Sequence, residues 1–247
     1  MKLLGLIGYP LTHSFSEKYF SDKFRDEQIH GYSYQNFPIK SIEEFPGITD
    51  KPHLTGLNVT IPYKEQVIPY LDEVDDTARQ IGAVNTIKIS EQGGKKYLAG
   101  YNTDAYGFRQ SLSPHLSPAH THALILGTGG ASKAIQFVLD ELEISYKIVS
   151  RKVSANTIGY QDLCLSLIRE YLVIINTTPL GTYPDVDDFP DIPYDLLSEK
   201  HLLYDLVYNP AKTKFLRLGQ QKGAQAVNGH EMLKLQAEKS WEIWNGE

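Results

Sequence analysis

The sequence predicts an α/β protein of two domains, and three observations lead to that reading. First, Ala123-Leu124-Ile125-Leu126 is an unbroken apolar run that passes into Gly127-Thr128-Gly129-Gly130-Ala131-Ser132 and then a helical stretch to about residue 141. Strand, glycine-rich turn and helix in that order open a parallel sheet of the nucleotide-binding kind. Second, strand-like runs at 146–150, 172–176 and 202–207 follow, alternating with helical segments. Third, the first hundred residues alternate strands and helices on their own, and Pro114 and Pro118 mark 111–118 as a loop between the two patterns. The expected division is an N-terminal α/β domain over 1–103 and a Rossmann-like domain over 104–228. A C-terminal helix in 229–247 is expected to return to the first.

In chain order, residues 3–8 are a short apolar run ended by a turn at Tyr9-Pro10, hence a buried strand. Residues 15–28 carry Phe15, Tyr19, Phe20 and Phe24 at helical spacing, behind a Ser14 able to cap the helix. Residues 57–61 read as a strand stopped by Pro62. Runs at 84–89 and 97–101 flank Glu91-Gln92-Gly93-Gly94, which predicts a hairpin. Residues 229–244 read as a helix, with Met232, Leu233, Leu235 and Trp241 available for packing. There is no internal repeat and no low-complexity tract.

Composition narrows the classes of function. With 247 residues, 41% hydrophobic and 22% charged, the chain can bury a sizeable core and looks like an ordinary globular protein. Its net charge of -6, with no clustered lysines and arginines, argues against nucleic acid as a partner. One cysteine, Cys164, cannot form an internal disulfide. The apolar N-terminus is broken early by Tyr9-Pro10, unlike a signal peptide, and no stretch approaches the ~20 apolar residues that cross a bilayer. A cytoplasmic protein without membrane partners is therefore expected, as a monomer or homodimer. A single cysteine and scattered histidines offer no metal-ligand spacing, so no metal is expected.

The glycine turn at 127–132 departs from a strict G-x-G-x-x-G, since Ser132 stands at the last glycine. Glycine there lets the backbone approach a pyrophosphate, while the helix N-terminus offers amide donors. NAD selection usually needs a carboxylate at the end of the second strand, to bond the ribose 2′-hydroxyl. Here that strand ends in Ser150-Arg151-Lys152. A guanidinium and an ammonium suit a 2′-phosphate, which favours NADP; the plainer reading of the pair is a solvated strand end.

Gly8-Tyr9-Pro10-Leu11-Thr12-His13-Ser14-Phe15-Ser16, Asn58-Val59-Thr60-Ile61-Pro62-Tyr63-Lys64, Gly82-Ala83-Val84-Asn85-Thr86 and Asn102-Thr103-Asp104 resemble, in order and spacing, the N-terminal motifs of the shikimate dehydrogenase family. The resemblance continues through 127–132 and 150–152 to Asn176-Thr177-Thr178-Pro179-Leu180-Gly181. It ends on Tyr204-Asp205-Leu206-Val207-Tyr208, Asn228-Gly229 and Gln236, and so spans nearly the whole chain. It implies that the first domain binds substrate and the second NADP. The implied activity is NADPH-dependent, reversible reduction of 3-dehydroshikimate to shikimate, a step toward chorismate and the aromatic amino acids.

By the same resemblance, Lys64 and Asp104 are the catalytic acid/base pair, and which of them transfers the proton stays open. Ser14 and Ser16 bind the substrate carboxylate, with Tyr208 as an added phenol donor, and Thr60, Asn85 and Gln236 contact ring hydroxyls. Gly127, Thr128, Gly129, Gly130, Ala131, Ser150, Arg151, Lys152, Thr177, Thr178 and Gly229 face the cofactor. Read alone, Lys64 is a solvent-facing charge, Asp104 an ordinary cap and Ser14 a helix cap; His13 is given a structural role. The chain departs from the family in a short segment at 151–172, in Ser150 and Lys152, and in Glu231. An NAD-using quinate or mixed quinate/shikimate dehydrogenase and a ligand-sensing regulator that has lost catalysis are the alternative readings.

Overall fold

The computed structural model describes residues 1–11 and 15–246, and the chain divides into two compact units. One comprises Met1–Thr103 with Ala237–Glu247, the other Asp104–Gln236.

The first unit contains β1 (Lys2–Gly8), α1 (Phe15–Asp26), β2 (Tyr32–Pro38), α2 (Phe45–Thr49), β3 (Leu54–Val59), β4 (Glu73–Val74), α3 (Asp76–Ile81), β5 (Thr86–Gln92) and β6 (Lys95–Tyr101). Its sheet runs β2-β1-β3-β5-β6-β4. β1 pairs in parallel with both β2 and β3, while β5 and β6 form an antiparallel hairpin. Residues 4–8 of β1 are buried on both faces, as a central parallel strand demands. The hairpin is tighter than the sequence predicts: Glu91 and Gln92 are strand, and Gly93-Gly94 alone make the turn. β2 escaped sequence analysis because Tyr32-Ser33-Tyr34-Gln35-Asn36-Phe37 mixes polar and aromatic residues without a clear period. It nevertheless pairs with β1 along all of its length. The strand expected at 57–61 is shifted to β3, which ends before Thr60.

The second unit contains α4 (Thr103–Leu112), β7 (His122–Leu126), α5 (Gly130–Glu141), β8 (Ser145–Val149), β9 (Thr157–Ile158), α6 (Leu165–Glu170), β10 (Val173–Asn176), β11 (Leu202–Asp205), α7 (Lys214–Gln221), β12 (Gln225–Val227) and α8 (His230–Asn245). Thr103 and the last turns of α8 are counted with the first unit. The sheet order β9-β8-β7-β10-β11-β12 is wholly parallel and matches the 3-2-1-4-5-6 order of a dinucleotide-binding sheet. Residues 150–156 join β8 to β9 with no helix, where a parallel crossover ordinarily needs a dozen or more residues. A two-residue β9, paired only to Ile148 and Val149, makes so short a connection feasible. The brevity of 151–172 is thus spent on that crossover.

Two sequence-based boundaries move. The loop expected at 111–118 starts later, since Ser111 and Leu112 belong to α4. The return expected from residue 229 starts at Ala237, because 229–236 packs within the second unit. There the Gly229 amide donates to the Val207 carbonyl at 3.2 Å, and α8 passes so close to Gly107 that a β-carbon there would lie 2.5 Å from the Met232 carbonyl oxygen.

Candidate active site

In the first unit, β3, β5 and α8 bring neutral polar side chains together. Asn58, at the end of β3, donates through Nδ2 to Ser240 Oγ at 3.0 Å and to Thr86 Oγ1 at 3.3 Å. Its Oδ1 accepts from the Tyr34 hydroxyl at 2.8 Å, which fixes the orientation of the amide. Thr86 and Ser240 exchange a hydrogen bond of 2.7 Å, and Ser240 meets Thr103 at 3.2 Å. Asn85 closes the set: its Nδ2 donates to Thr103 Oγ1 at 3.0 Å and its Oδ1 accepts the Thr103 backbone amide at 2.7 Å. Asn58 is 5% exposed, Asn85 4% and Ser240 fully buried, so each needs these partners to offset lost hydration.

Ser240 reaches this centre because Ala237, Ser240 and Trp244 form the buried stripe at helical spacing along the end of α8. Trp244 Nε1 donates to the Ile87 carbonyl at 3.0 Å and anchors that face. Ser16, half-buried at the start of α1, hydrogen-bonds Tyr34. Burial pushes the Tyr34 phenol far above its usual range, so it stays a donor.

Lys64 is half-buried in a turn held at both flanks. Its carbonyl accepts the Val84 amide at 2.8 Å, next to Asn85, and the Tyr63 hydroxyl donates to the Ile39 carbonyl at 2.7 Å. Thr60 begins this turn with its amide on the Ile7 carbonyl at 3.0 Å. The structure thus brings Asn85, Ser16 and the Lys64 backbone onto one framework through Tyr34, Asn58 and Val84. Ser14, with Thr12 and His13, lies outside the described residues.

Asp104 opens the second unit in the first turn of α4, 9% exposed, directly after the Thr103 that Asn85 holds. Gln236 is 7% exposed and donates to the Leu233 carbonyl within its own helix, at 3.0 Å. Tyr208 is half-buried, and burial raises its pKa, so the phenol keeps its proton near neutral pH.

Around the glycine turn, Gly127 sits at φ +111°, a conformation that penalises side chains, and a β-carbon there would lie 2.8 Å from Thr177 Oγ1 and 2.9 Å from Thr178 Cγ2. Gly129 caps α5 without any side chain, and added β-carbons on Gly129 or Gly130 would meet nothing within 4 Å. Thr128 and Gly129 are exposed and Ala131 half-buried. The start of α5 is therefore an open N-terminus able to take an anion on its amides. Ser132, at the missing glycine, turns inward and donates to the Gly129 carbonyl at 2.7 Å.

At the end of β8, Ser150 Oγ accepts the Lys152 amide at 3.1 Å, while the Arg151 and Lys152 side chains are exposed. The strand end itself, Ser150-Arg151-Lys152, contains no carboxylate. Gly229 has a structural cause of its own, since a β-carbon there would lie 2.1 Å from the Leu206 carbonyl oxygen.

Sequence reasoning assigned no individual role to Tyr34, Asn58, Thr103, Ser240, Asn176 or Asp205. Four of these fall inside the matched motifs, which was a usable signal; Tyr34 and Ser240 carried none. Among the described residues no group of histidines, cysteines and carboxylates could hold a metal ion, and no helix is long and apolar enough to cross a membrane.

Comparison with known proteins matches residues 6–87 to the shikimate dehydrogenase substrate binding domain. A shikimate dehydrogenase (NADP(+)) of Clostridium beijerinckii is 39% identical over 258 residues, spanning 99% of this chain and 92% of that protein. One from Methanococcus maripaludis strain C6 is 36% identical over 262 residues, with the same coverage. The crystal structure of shikimate 5-dehydrogenase from Thermus thermophilus in complex with NADP(H) and shikimate superposes with a TM-score of 0.85 at 30% identity, covering 100% of this chain and 94% of that one. Similarity of this depth across both units leaves one conclusion: the chain belongs to the shikimate dehydrogenase family.

Proposed function

We propose that this chain is an NADP-dependent shikimate dehydrogenase, which reversibly reduces 3-dehydroshikimate to shikimate in the cytoplasm, on the route to chorismate and the aromatic amino acids. The observation that carries the proposal is 36–39% identity sustained over 99% of the chain with relatives named for that activity. In this reading residues 1–103 with the C-terminal helix handle substrate, and the parallel-sheet unit handles cofactor.

The residues at the glycine turn fit NADP. An uncapped twelve-residue helix, a loop open at Gly129 and Gly130, and a basic strand end without a carboxylate suit a pyrophosphate and a 2′-phosphate. Gly127, Thr128, Gly129, Gly130 and Ala131 would hold the pyrophosphate, Ser150, Arg151 and Lys152 the adenosine end, and Thr177, Thr178 and Gly229 the remainder. Bound NADPH supplies the hydride.

The chain's own residues do the rest. As negative charge grows on the substrate carbonyl oxygen, the Lys64 ammonium stabilises it, and Lys64 with Asp104 provides the proton. Ser14 and Ser16 bind the ring carboxylate with the Tyr208 phenol, and Thr60, Asn85 and Gln236 bind ring hydroxyls. Locked amides suit this task, because a site built to bond hydroxyls rejects analogues that leave its groups unpaired.

The deciding experiment follows reduction of NADP and NAD spectrophotometrically with shikimate and with quinate. A kcat/KM at least about tenfold higher for the NADP and shikimate pair is expected, the step that roughly 1.4 kcal/mol of selective binding gives. Comparable values for quinate, or a preference for NAD, would replace this reading by the quinate dehydrogenase one.

A further inference from the structure

Asn176 and Asp205 are register partners at the last positions of β10 and β11, and both side chains are completely buried. They stand at the carboxyl ends of a parallel sheet, the edge at which such sheets receive ligands. The Asp205 carboxylate accepts three donors: Asn176 Nδ2 at 2.9 Å, the Val207 amide at 3.1 Å and Thr213 Oγ1 at 2.5 Å. A carboxylate in that setting can only accept, so it forces the NH2 end of the Asn176 amide toward itself. The Asn176 carbonyl oxygen is thereby turned the other way, where it accepts both the Thr178 amide at 3.0 Å and the Thr178 hydroxyl at 2.6 Å. Thr178, in turn, lies against Gly127 at the head of the glycine turn.

We propose that Asp205 is a positioning residue for the cofactor: without touching it, it sets the direction of the Asn176 amide and so the placement of Thr178. The proposal rests on the reading that Thr177 and Thr178 line the NADP site. It also explains why Thr213, the N-cap of α7, bonds inward as well as capping: its hydroxyl donates to Asp205 while its oxygen accepts the Leu216 amide.

The test compares Asp205→Ala, Asp205→Asn, Asn176→Ala and the Asp205→Ala/Asn176→Ala double variant, with Thr178→Ala as the direct probe of the loop. Each is assayed for KM of NADP, KM of shikimate, kcat and thermal unfolding, and for NADP binding by fluorescence titration. Asp205→Ala is expected to raise the NADP constants about tenfold, the scale of one buried hydrogen bond lost, while the shikimate KM moves less than about twofold. Asp205→Asn keeps an oxygen for Asn176 and Val207 and should restore NADP to within about twofold of wild type. The double variant should be no worse than the worse single one, since both break one chain of contacts.

A folded Asp205→Ala with unchanged NADP constants, or with both substrates weakened equally, overturns the proposal while Thr178→Ala still weakens NADP. If Thr178→Ala leaves NADP binding unchanged, the reading of the loop fails instead, and the proposal falls with it. Should Asp205→Ala not fold, Asn176→Ala and the Asp205→Asn rescue decide alone: an unaltered NADP constant in Asn176→Ala overturns the proposal.

Discussion

In the first unit six neutral side chains, Tyr34, Asn58, Asn85, Thr86, Thr103 and Ser240, hold one another, whereas in the second a single carboxylate gathers its donors beneath the glycine turn. Hydroxyls donate and accept, so the first network can settle in more than one proton arrangement without charge. Once ionised, above about pH 6, Asp205 accepts only, which imposes one direction on everything it touches. Its burial raises its pKa to about 6, despite three hydrogen bonds that favour the ionised form. One centre should therefore be indifferent to pH and the other sensitive to it. The contrast extends outward: the described residues proposed to bind substrate are buried or half-buried side chains, while those proposed for NADP include the glycine-turn backbone and two exposed cations.

If the neutral network only orients, the charge that chemistry needs must come from elsewhere, and Lys64 is the proposed source. Lys64→Ala is expected to lower kcat by about 100- to 10,000-fold while NADP binding, followed by fluorescence titration, persists. Near-normal turnover would return catalysis to the neutral residues and dissolve the contrast.

The pH contrast itself is testable by urea unfolding. Asp205 titrates at about 6 in the fold against an ordinary 3.8, so between those values the native state holds the extra proton. Stability from this group is therefore fully present below about pH 4 and is lost as pH rises through 6, by roughly 3 kcal/mol for about two units. Asp205→Asn lacks that loss. Its stability relative to wild type should improve by about 3 kcal/mol between about pH 4 and pH 7. A difference that stays constant with pH would show that burial does not bear on this carboxyl.

Ser240→Ala removes a hydroxyl shared by Asn58, Thr86 and Thr103, and should cost about 1–3 kcal/mol. Unlike the previous case, the cost should be the same at pH 5 and pH 8, since Asn58, Thr86 and Thr103 are neutral. A cost that changes with pH would couple this network to a titrating group. The smallest effect is expected at the exposed strand end. Arg151→Ala should weaken NADP about fivefold, near 1 kcal/mol, and leave NAD turnover as it was. Equal loss with both cofactors would remove Arg151 from 2′-phosphate recognition.

Much of the fold was legible because its strands are apolar runs with turn residues at their ends: β1, β7, β10 and β11 all read so. The glycine turn was legible as a motif, and so was the missing carboxylate at the end of β8. β2, β9 and β12 were not, for they are polar or very short and are strands because a neighbour pairs with them. Similarly, Ser132 looked like a lapse in the fingerprint, and in the structure it closes the first turn of α5 on the Gly129 carbonyl.

The sequence by itself determined the α/β class, the position of the nucleotide turn and the identity of the motif residues, because these depend on local period and residue type. Only the tertiary structure decided which buried groups stand behind them. Tyr34 and Ser240 are 206 residues apart, and both bond to Asn58. Asn176 and Asp205 meet because β10 and β11 pair in parallel at that register. Contacts of that range follow from strand order and helix packing, which no local window of sequence contains.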